Sequence, residues 1–258
     1  NINSVRLRAP NVQAFLEEQA PDVLCLQETK VHNDSFPSKP FVQAGYPHLA
    51  INGQKAYHGV ATIARVPIET LEAREFCAMG DTRHLSVSLP GGGELHNFYV
   101  PAGGDEADPG KNPKFRHKLD FLTEMETWMK GWADHGTAKR VMVGDLNIAP
   151  GEHDVWSHKQ LLKVVSHTPV EIEHLARVEA AGQWHDPIRA AVPDDEKLYT
   201  WWSYRARDWR ASNRGRRLDH IWVSPALQKT VEQTAILDSY RDGEKPSDHC
   251  PVVATITV

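Results

Sequence analysis

The chain has 258 residues, 40% hydrophobic and 24% charged, with a formal net charge of −5. This is an ordinary soluble, globular composition with ample length for a core, and the overall acidity excludes a surface that coats nucleic acid indiscriminately. No apolar run approaches the roughly 20 residues that span a bilayer.

The opening Asn1-Ile2-Asn3 lacks an initiator Met, so the natural chain is expected to begin a few residues earlier. Val12, Phe15 and Leu16 recur at helical spacing after Pro10 and predict a short helix ending near Pro21. Val23 to Leu26 reads as a buried strand from which Gln27-Glu28-Thr29-Lys30 emerges, and Gly59 to Ala64 as another. Leu85 to Leu89 and Leu95 to Val100 flank Pro90-Gly91-Gly92-Gly93, a hairpin signal. Phe115, Leu119, Leu122, Met125, Met129 and Trp132 make an amphipathic stripe, predicting a helix from about Lys114 to Trp132. Val141 to Val143 is the next strand. Thr168-Pro169-Val170-Glu171 is a capping box that starts a helix stopping near Gly182. Strands follow at Leu198 to Tyr204, His220 to Val223, Ala235 to Leu237 and Val252 to Val258. Strands and helices are interspersed without strict βαβ alternation. The expected fold is therefore α/β, with two mixed or antiparallel sheets packed together, helices outside, and one domain over residues 1–258.

Polar residues cluster at strand ends. Asp145 and Asn147, two positions apart after Val141-Met142-Val143-Gly144, are expected to point the same way by strand alternation. Glu28 also follows a strand, whereas Asp219 and Asp248-His249 precede one. If these strands run antiparallel, the groups share one edge. Four carboxylates so placed raise one another's pKa unless a cation intervenes, and oxygen donors without thiolates favour Mg²⁺ or Mn²⁺. Cys25, Cys77 and Cys250 are odd in number and lack metal-ligand spacing, which fits a reducing cytosol. His153, His158, His167 and His174 show no zinc spacing and read as surface or capping residues.

From Arg205 to Arg217 there are six arginines (Arg205, Arg207, Arg210, Arg214, Arg216 and Arg217) against one Asp208. A second basic cluster holds Lys111, Lys114, Arg116 and Lys118. Concentrated basic patches on an acidic body suit docking of a polyanion on one face. The arginine loop, with Lys114 and Lys118 as a second grip, is the expected contact surface for a phosphate backbone.

The stretches Asn1-Ile2-Asn3-Ser4-Val5-Arg6, Leu26-Gln27-Glu28-Thr29-Lys30, Asn97-Phe98-Tyr99-Val100-Pro101, Gly144-Asp145-Leu146-Asn147-Ile148-Ala149-Pro150, Arg217-Leu218-Asp219-His220 and Ser247-Asp248-His249-Cys250-Pro251 resemble, in order and nearly end to end, the motifs of the exonuclease III family of apurinic/apyrimidinic DNA endonucleases. That family lies within the endonuclease/exonuclease/phosphatase superfamily. The resemblance implies a four-layered α/β sandwich and a Mg²⁺-dependent DNA-repair phosphodiesterase. Its expected partner is double-stranded DNA with abasic sites or blocked 3′ ends, and it is expected to act as a cytoplasmic, nucleoid-associated monomer. By resemblance Glu28 binds the metal, helped by Asn1, Asn3 and Asp248, and Asp145 handles the attacking water. Asn147 stabilises the scissile phosphate, His249 contacts it with Asp219 as partner, and Tyr99 touches the phosphate or leaving oxygen. Asp145, Asn147 and His249 also fall in the expected metal environment. The sequence leaves open whether Asp145 or His249 is the general base. Two departures bear on specificity. Asn3 stands where the animal branch has aspartate, and Arg216 where an aromatic beside the abasic sugar is frequent. A same-fold enzyme acting on inositol phosphate, sphingolipid or RNA, or a catalytically silent DNA-binding relative, are the alternative readings.

Overall fold

The structure is a computed structural model that describes residues 1–258. Its strands are β1 (Val23–Gln27), β2 (His48–Asn52), β3 (Val60–Ala64), β4 (Thr70–Glu72), β5 (His84–Leu89), β6 (Gly93–Tyr99), β7 (Arg140–Asp145), β8 (Trp201–Trp202), β9 (Gly215–Arg216), β10 (Asp219–Val223), β11 (Val231–Ile236) and β12 (Val252–Ile256). The helices are α1 (Val5–Gln19), α2 (Ser38–Gln43), α3 (Pro113–Lys130), α4 (His158–Leu161), α5 (Pro169–Gly182), α6 (Pro187–Ala190) and α7 (Trp209–Ser212).

A five-stranded sheet runs β10-β7-β6-β5-β4 and a three-stranded sheet β1-β3-β2. Every pairing is antiparallel except β6 with β7, whose parallel crossover is supplied by α3. Strand alternation builds the layers. Val141, Ile221 and Val223 face the three-stranded sheet, while Met142 and Trp222 face outward onto α3 and α5. There Phe121, Leu122, Met125 and Met129 of α3 meet Leu175 and Val178 of α5. On the far side α1 covers the three-stranded sheet with Val5, Val12 and Leu16 against Leu26, Ala61 and Ile63. The result is helix, sheet, sheet, helix, the four layers expected. Each fully buried large apolar side chain contributes about 1.5–3 kcal/mol of transfer free energy, so these interfaces fix the strand ends that carry the polar residues.

Several local expectations are corrected. The first helix starts at Val5, before Pro10, because a kink at Arg8 (φ −115°, ψ 16°) accommodates the ring. The strand expected over Leu198 to Tyr204 shrinks to Trp201–Trp202, paired with Gly215–Arg216 and bridged to His249. Trp222 is a core residue, as its place in a strand implied, at 1% exposure. Between β1 and β12, which share no ladder, lies a cavity of about 520 Å³ lined by Val23, Cys25, Val141, Ile221, Val252 and Ala254. Asn1, Asp219 and His249 also line it.

Candidate active site

The antiparallel register of β10 on β7 sets Asp219 directly opposite Asp145, and the parallel register of β6 on β7 sets Tyr99 beside Asp145. Three polar side chains therefore end three adjacent strands in one row. Gly144 makes this close approach feasible. It lies at φ 148°, and a Cβ there would collide with the Phe98 carbonyl. Glu28 arrives from β1 in the facing sheet, at a left-handed φ of 56°. Asp248 and His249 arrive from the loop before β12, where Trp201 bridges His249. The segment before α1 is zipped onto the same rim, since Ile2, Ser4 and Val5 donate backbone hydrogen bonds to the carbonyls of Gln27, Glu28 and Thr29.

His249 Nδ1 lies 2.7 Å from Asp219 Oδ2, and its Nε2 lies 3.7 Å from Asp145 Oδ2. Burial alone would push this imidazole down. The charges of Asp219 and Asp145 outweigh it and raise the pKa to about 9, so His249 is a cation at neutral pH. Asp219, with a second hydrogen bond of 2.6 Å from Thr200 Oγ1, is buried but held below the usual carboxylate range by the His249 charge. Asp145 is raised to about 6, chiefly by burial, with the His249 charge opposing and the Asp219 charge adding. Tyr99 is held well above its usual value by burial and by the Glu28 and Asp145 carboxylates, so its hydroxyl stays protonated.

Asn147 reaches the site by a different route from the alternation expected. The strand ends at Asp145, and Asn147 turns back at φ 54°, its N–H donating to Asp145 Oδ1 at 2.9 Å. Its amide Nδ2 donates to the Val100 carbonyl at 2.9 Å. Asn1 Nδ2 donates to Glu28 Oε2 at 3.0 Å and Asp145 Oδ2 at 2.8 Å, so one amide joins two carboxylates. Asn3 donates to Asp248 Oδ1 at 3.1 Å and accepts from Lys30 Nζ at 2.6 Å. Lys30 also pairs with Glu28 Oε1 at 2.9 Å. Sequence reasoning gave no role to Lys30 or Thr200. Lys30 was findable, because it lies two residues from Glu28 at the same strand exit.

A divalent cation fits these residues. Glu28 and Asp145 converge on the Asn1 amide, at 3.0 and 2.8 Å, whereas the His249 imidazolium grouped with Asp145 and Asp219 has no lone pair to give a metal. Four carboxylates at the rim outnumber the side-chain cations beside them, Lys30 and His249, and the donors are the hard oxygens that Mg²⁺-like ions take.

The basic residues divide sharply. Lys114, Arg205, Arg207 and Arg214 are exposed. Arg210 is exposed but spends its fork on Asp242 and Asp238. Two expected DNA contacts are corrected. Lys118 is fully buried, with Nζ donating to the carbonyls of Asn147 (2.8 Å) and Ala102 (3.4 Å) and paired with Glu171 at 2.5 Å. Arg217 is buried between Asp154 and Asp186, at 2.9 and 2.5 Å. Both charges are consumed inside the fold, beneath the loop that carries Asn147. Arg216 lies half-buried, with its guanidinium over the Trp201 ring at 5.3 Å.

Residues 1–249 match the endonuclease/exonuclease/phosphatase family. The chain is 30% identical to exodeoxyribonuclease III of Haemophilus influenzae, over 98% of this chain and 97% of that protein. Among solved structures, an AP endonuclease from Archaeoglobus fulgidus superimposes with a TM-score of 0.90 at 30% identity, covering 100% of this chain and 97% of the other. The 3′ phosphatase NExo from Neisseria, bound to a product DNA hairpin, superimposes with a TM-score of 0.87 at 29% identity, with coverage of 100% and 97%. No helix is long and apolar enough to cross a membrane.

Proposed function

Because the chain belongs to the endonuclease/exonuclease/phosphatase family, in the exodeoxyribonuclease III branch, we propose that it is a Mg²⁺- or Mn²⁺-dependent DNA-repair phosphodiesterase. It cleaves duplex DNA 5′ to abasic sites and clears blocked 3′ ends by exonuclease or 3′-phosphatase action. It works as one domain and as a monomer, in the cytoplasm. The observation that carries this reading is the His249 imidazolium held between Asp219 and Asp145 at a strand-end rim that also bears Glu28, Asn147 and Tyr99.

The residues divide the reaction among them. Asp145 orients the attacking water and takes its proton, being ionised above about pH 6. The water oxygen bonds to phosphorus, the P–O3′ bond breaks, and the departing 3′-oxygen takes up a proton to become a hydroxyl. His249 donates to a non-bridging oxygen and offsets the charge that accumulates there. Asp219 fixes the ring and keeps it cationic, while Asn147 and the protonated Tyr99 orient the phosphate. Glu28, Asp145 and Asp248, with Asn1 and Asn3 beside them, would hold the cation, which supplies polarisation of the phosphate oxygens. Arg205, Arg207, Arg214 and Lys114 meet the duplex backbone.

The test is an end-labelled duplex carrying one abasic analogue, incubated with protein and Mg²⁺, with EDTA, or with the Asp145→Asn variant. The expected outcome is incision 5′ to the analogue that EDTA abolishes, and a variant that binds the duplex yet turns over at least roughly 10³-fold more slowly. Near-native cleavage by Asp145→Asn would refute the assignment, as would preferential release of phosphate from an inositol phosphate.

A further inference from the structure

Three consecutive carbonyls, beginning with that of Asn147, are held by side chains alone. The Asn147 carbonyl accepts from Lys118 Nζ at 2.8 Å, that of Ile148 from His220 Nε2 at 2.9 Å, and that of Ala149 from His167 Nδ1 at 2.6 Å. A carbonyl oxygen only accepts, so each imidazole carries a proton on the nitrogen that faces it. No backbone N–H reaches any of the three carbonyls. Lys118, His167 and His220 are all buried.

The donors come from separate parts of the fold, and each is fixed in turn. Lys118 lies on α3 and pairs with Glu171 of α5 at 2.5 Å. His167 precedes α5, and its Nε2 lies 2.8 Å from His158 Nδ1. His220 lies on β10, where Arg217 Nη1 donates to its Nδ1 at 3.1 Å. β10 thus holds His249 through Asp219 and the Asn147 loop through His220. The segment so held runs against local preference, since Asn147 sits in the left-handed region at φ 54°. With its carbonyl on Lys118, Asn147 turns its N–H to Asp145 Oδ1 and its amide Nδ2 to the carbonyl of Val100, the residue after Tyr99.

We propose that His220 and His167, together with Lys118, are positioning residues for Asn147, fixing the peptide planes that follow it and so aiming its side chain at the scissile phosphate. The role rests on the function proposed above, in which Asn147 orients that phosphate. Without these donors the peptide planes from Asn147 to Ala149 can rotate, and the Asn147 amide moves with them. A displacement of about 1 Å in a group that orients the reacting atoms costs up to about 10²-fold in rate. Substrate binding, spread over the duplex backbone, is touched far less.

The experiment is a double-mutant cycle between His220→Leu and Asn147→Ala, with kcat and KM measured on the abasic duplex with Mg²⁺ and thermal melts to verify folding. His220→Leu alone is expected to lower kcat by about 10- to 100-fold, with KM little changed. In the Asn147→Ala background the same substitution is expected to cost nothing further, because the group it positions is gone. His220→Gln, whose amide reaches as far as the imidazole Nε2 and keeps a donor there, recovers the rate. His167→Leu repeats the pattern and His167→Asn, with its amide nitrogen at the reach of Nδ1, recovers it. This second cycle decides the matter if His220→Leu does not fold. A wild-type kcat in the folded leucine variants, or a loss that persists in full without the Asn147 amide, would overturn the proposal and leave the three donors to stability alone. A wild type inert on the abasic duplex would instead sink the proposed function, and this positioning role with it.

Discussion

His249 and the pair His84–His96 are all buried, with exposures of 7%, 0% and 4%, yet His249 is charged and the pair is neutral. The Nδ1 of His84 accepts from the Arg74 N–H at 3.2 Å, its Nε2 faces His96 Nδ1 at 3.2 Å, and Phe76, Phe98 and Trp128 surround it. The carboxylate nearest to His96, Glu94, is 3.5 Å away and already bound by Arg140 at 2.8 Å. Burial therefore wins, and both rings are pushed below the usual histidine value, His84 far below. Around His249 two carboxylates win against the same desolvation. Enclosure sets the size of the electrostatic stakes, and the partner decides the sign. In one region histidine is a core aromatic, and in the other a positive charge held between two carboxylates.

The contrast breaks most severely if His249 loses its anion. Asp219→Asn keeps the shape of the side chain and removes its charge, placing His249 in an environment closer to that of His96. Cleavage of the abasic duplex is expected to slow by roughly 10²–10⁴-fold with binding retained, read in single-turnover kinetics. A rate within a few-fold of wild type would show that the ring's charge is set elsewhere.

Next in size is Lys118→Met. It strands the buried Glu171 carboxylate, and loss of one partner in a buried pair costs about 3–5 kcal/mol. Glu171 retains its hydrogen bonds from Ser166 and Thr168, which places the variant at the lower end of that range. Urea unfolding measures the loss. A variant of native stability whose DNA affinity had become less salt-dependent would return Lys118 to the DNA surface.

The smallest effect concerns acid. His84 and His96 are neutral when folded, whereas unfolded histidine titrates near about 6.5. Their contribution to stability is complete above that value and is lost as pH falls below it toward the folded pKa. Unfolding free energy is expected to drop with a slope approaching about 1.4 kcal/mol per pH unit for each ring. His249 has the opposite sign, its contribution being present below about 6.5 and lost as pH rises through about 9. A stability curve flat between about pH 7 and pH 5 would remove the neutral assignment of the core pair.

The sequence made the rim legible because carboxylates at the ends of apolar runs have few places to go. Glu28, Asp145 and Asp219 could be aligned once the strands were known to pair, and the amphipathic stripe of α3 gave the crossover. Charge without burial was the weaker guide. Lys118 and Arg217 sit in runs of basic residues, and nothing local shows that Glu171, Asp154 and Asp186 enclose them from distant segments. Asn147 was placed beside Asp145 by strand alternation, whereas it lies there through a left-handed turn at φ 54° that alternation does not foresee. β2 and β4 escaped notice because their sequences, His48–Asn52 and Thr70–Glu72, lack a clear apolar period and take their conformation from β3 and β5.

The most direct measurement is an NMR titration of the imidazole ring of His249 in the metal-free protein, alongside His84 and His96 in the same spectra. The expected result is a His249 ring that holds its proton up to about pH 9, while His84 and His96 stay neutral to below about 6.5. A His249 that loses its proton at or below the ordinary histidine value would contradict the claim that converging carboxylates arm this rim with a fixed cation.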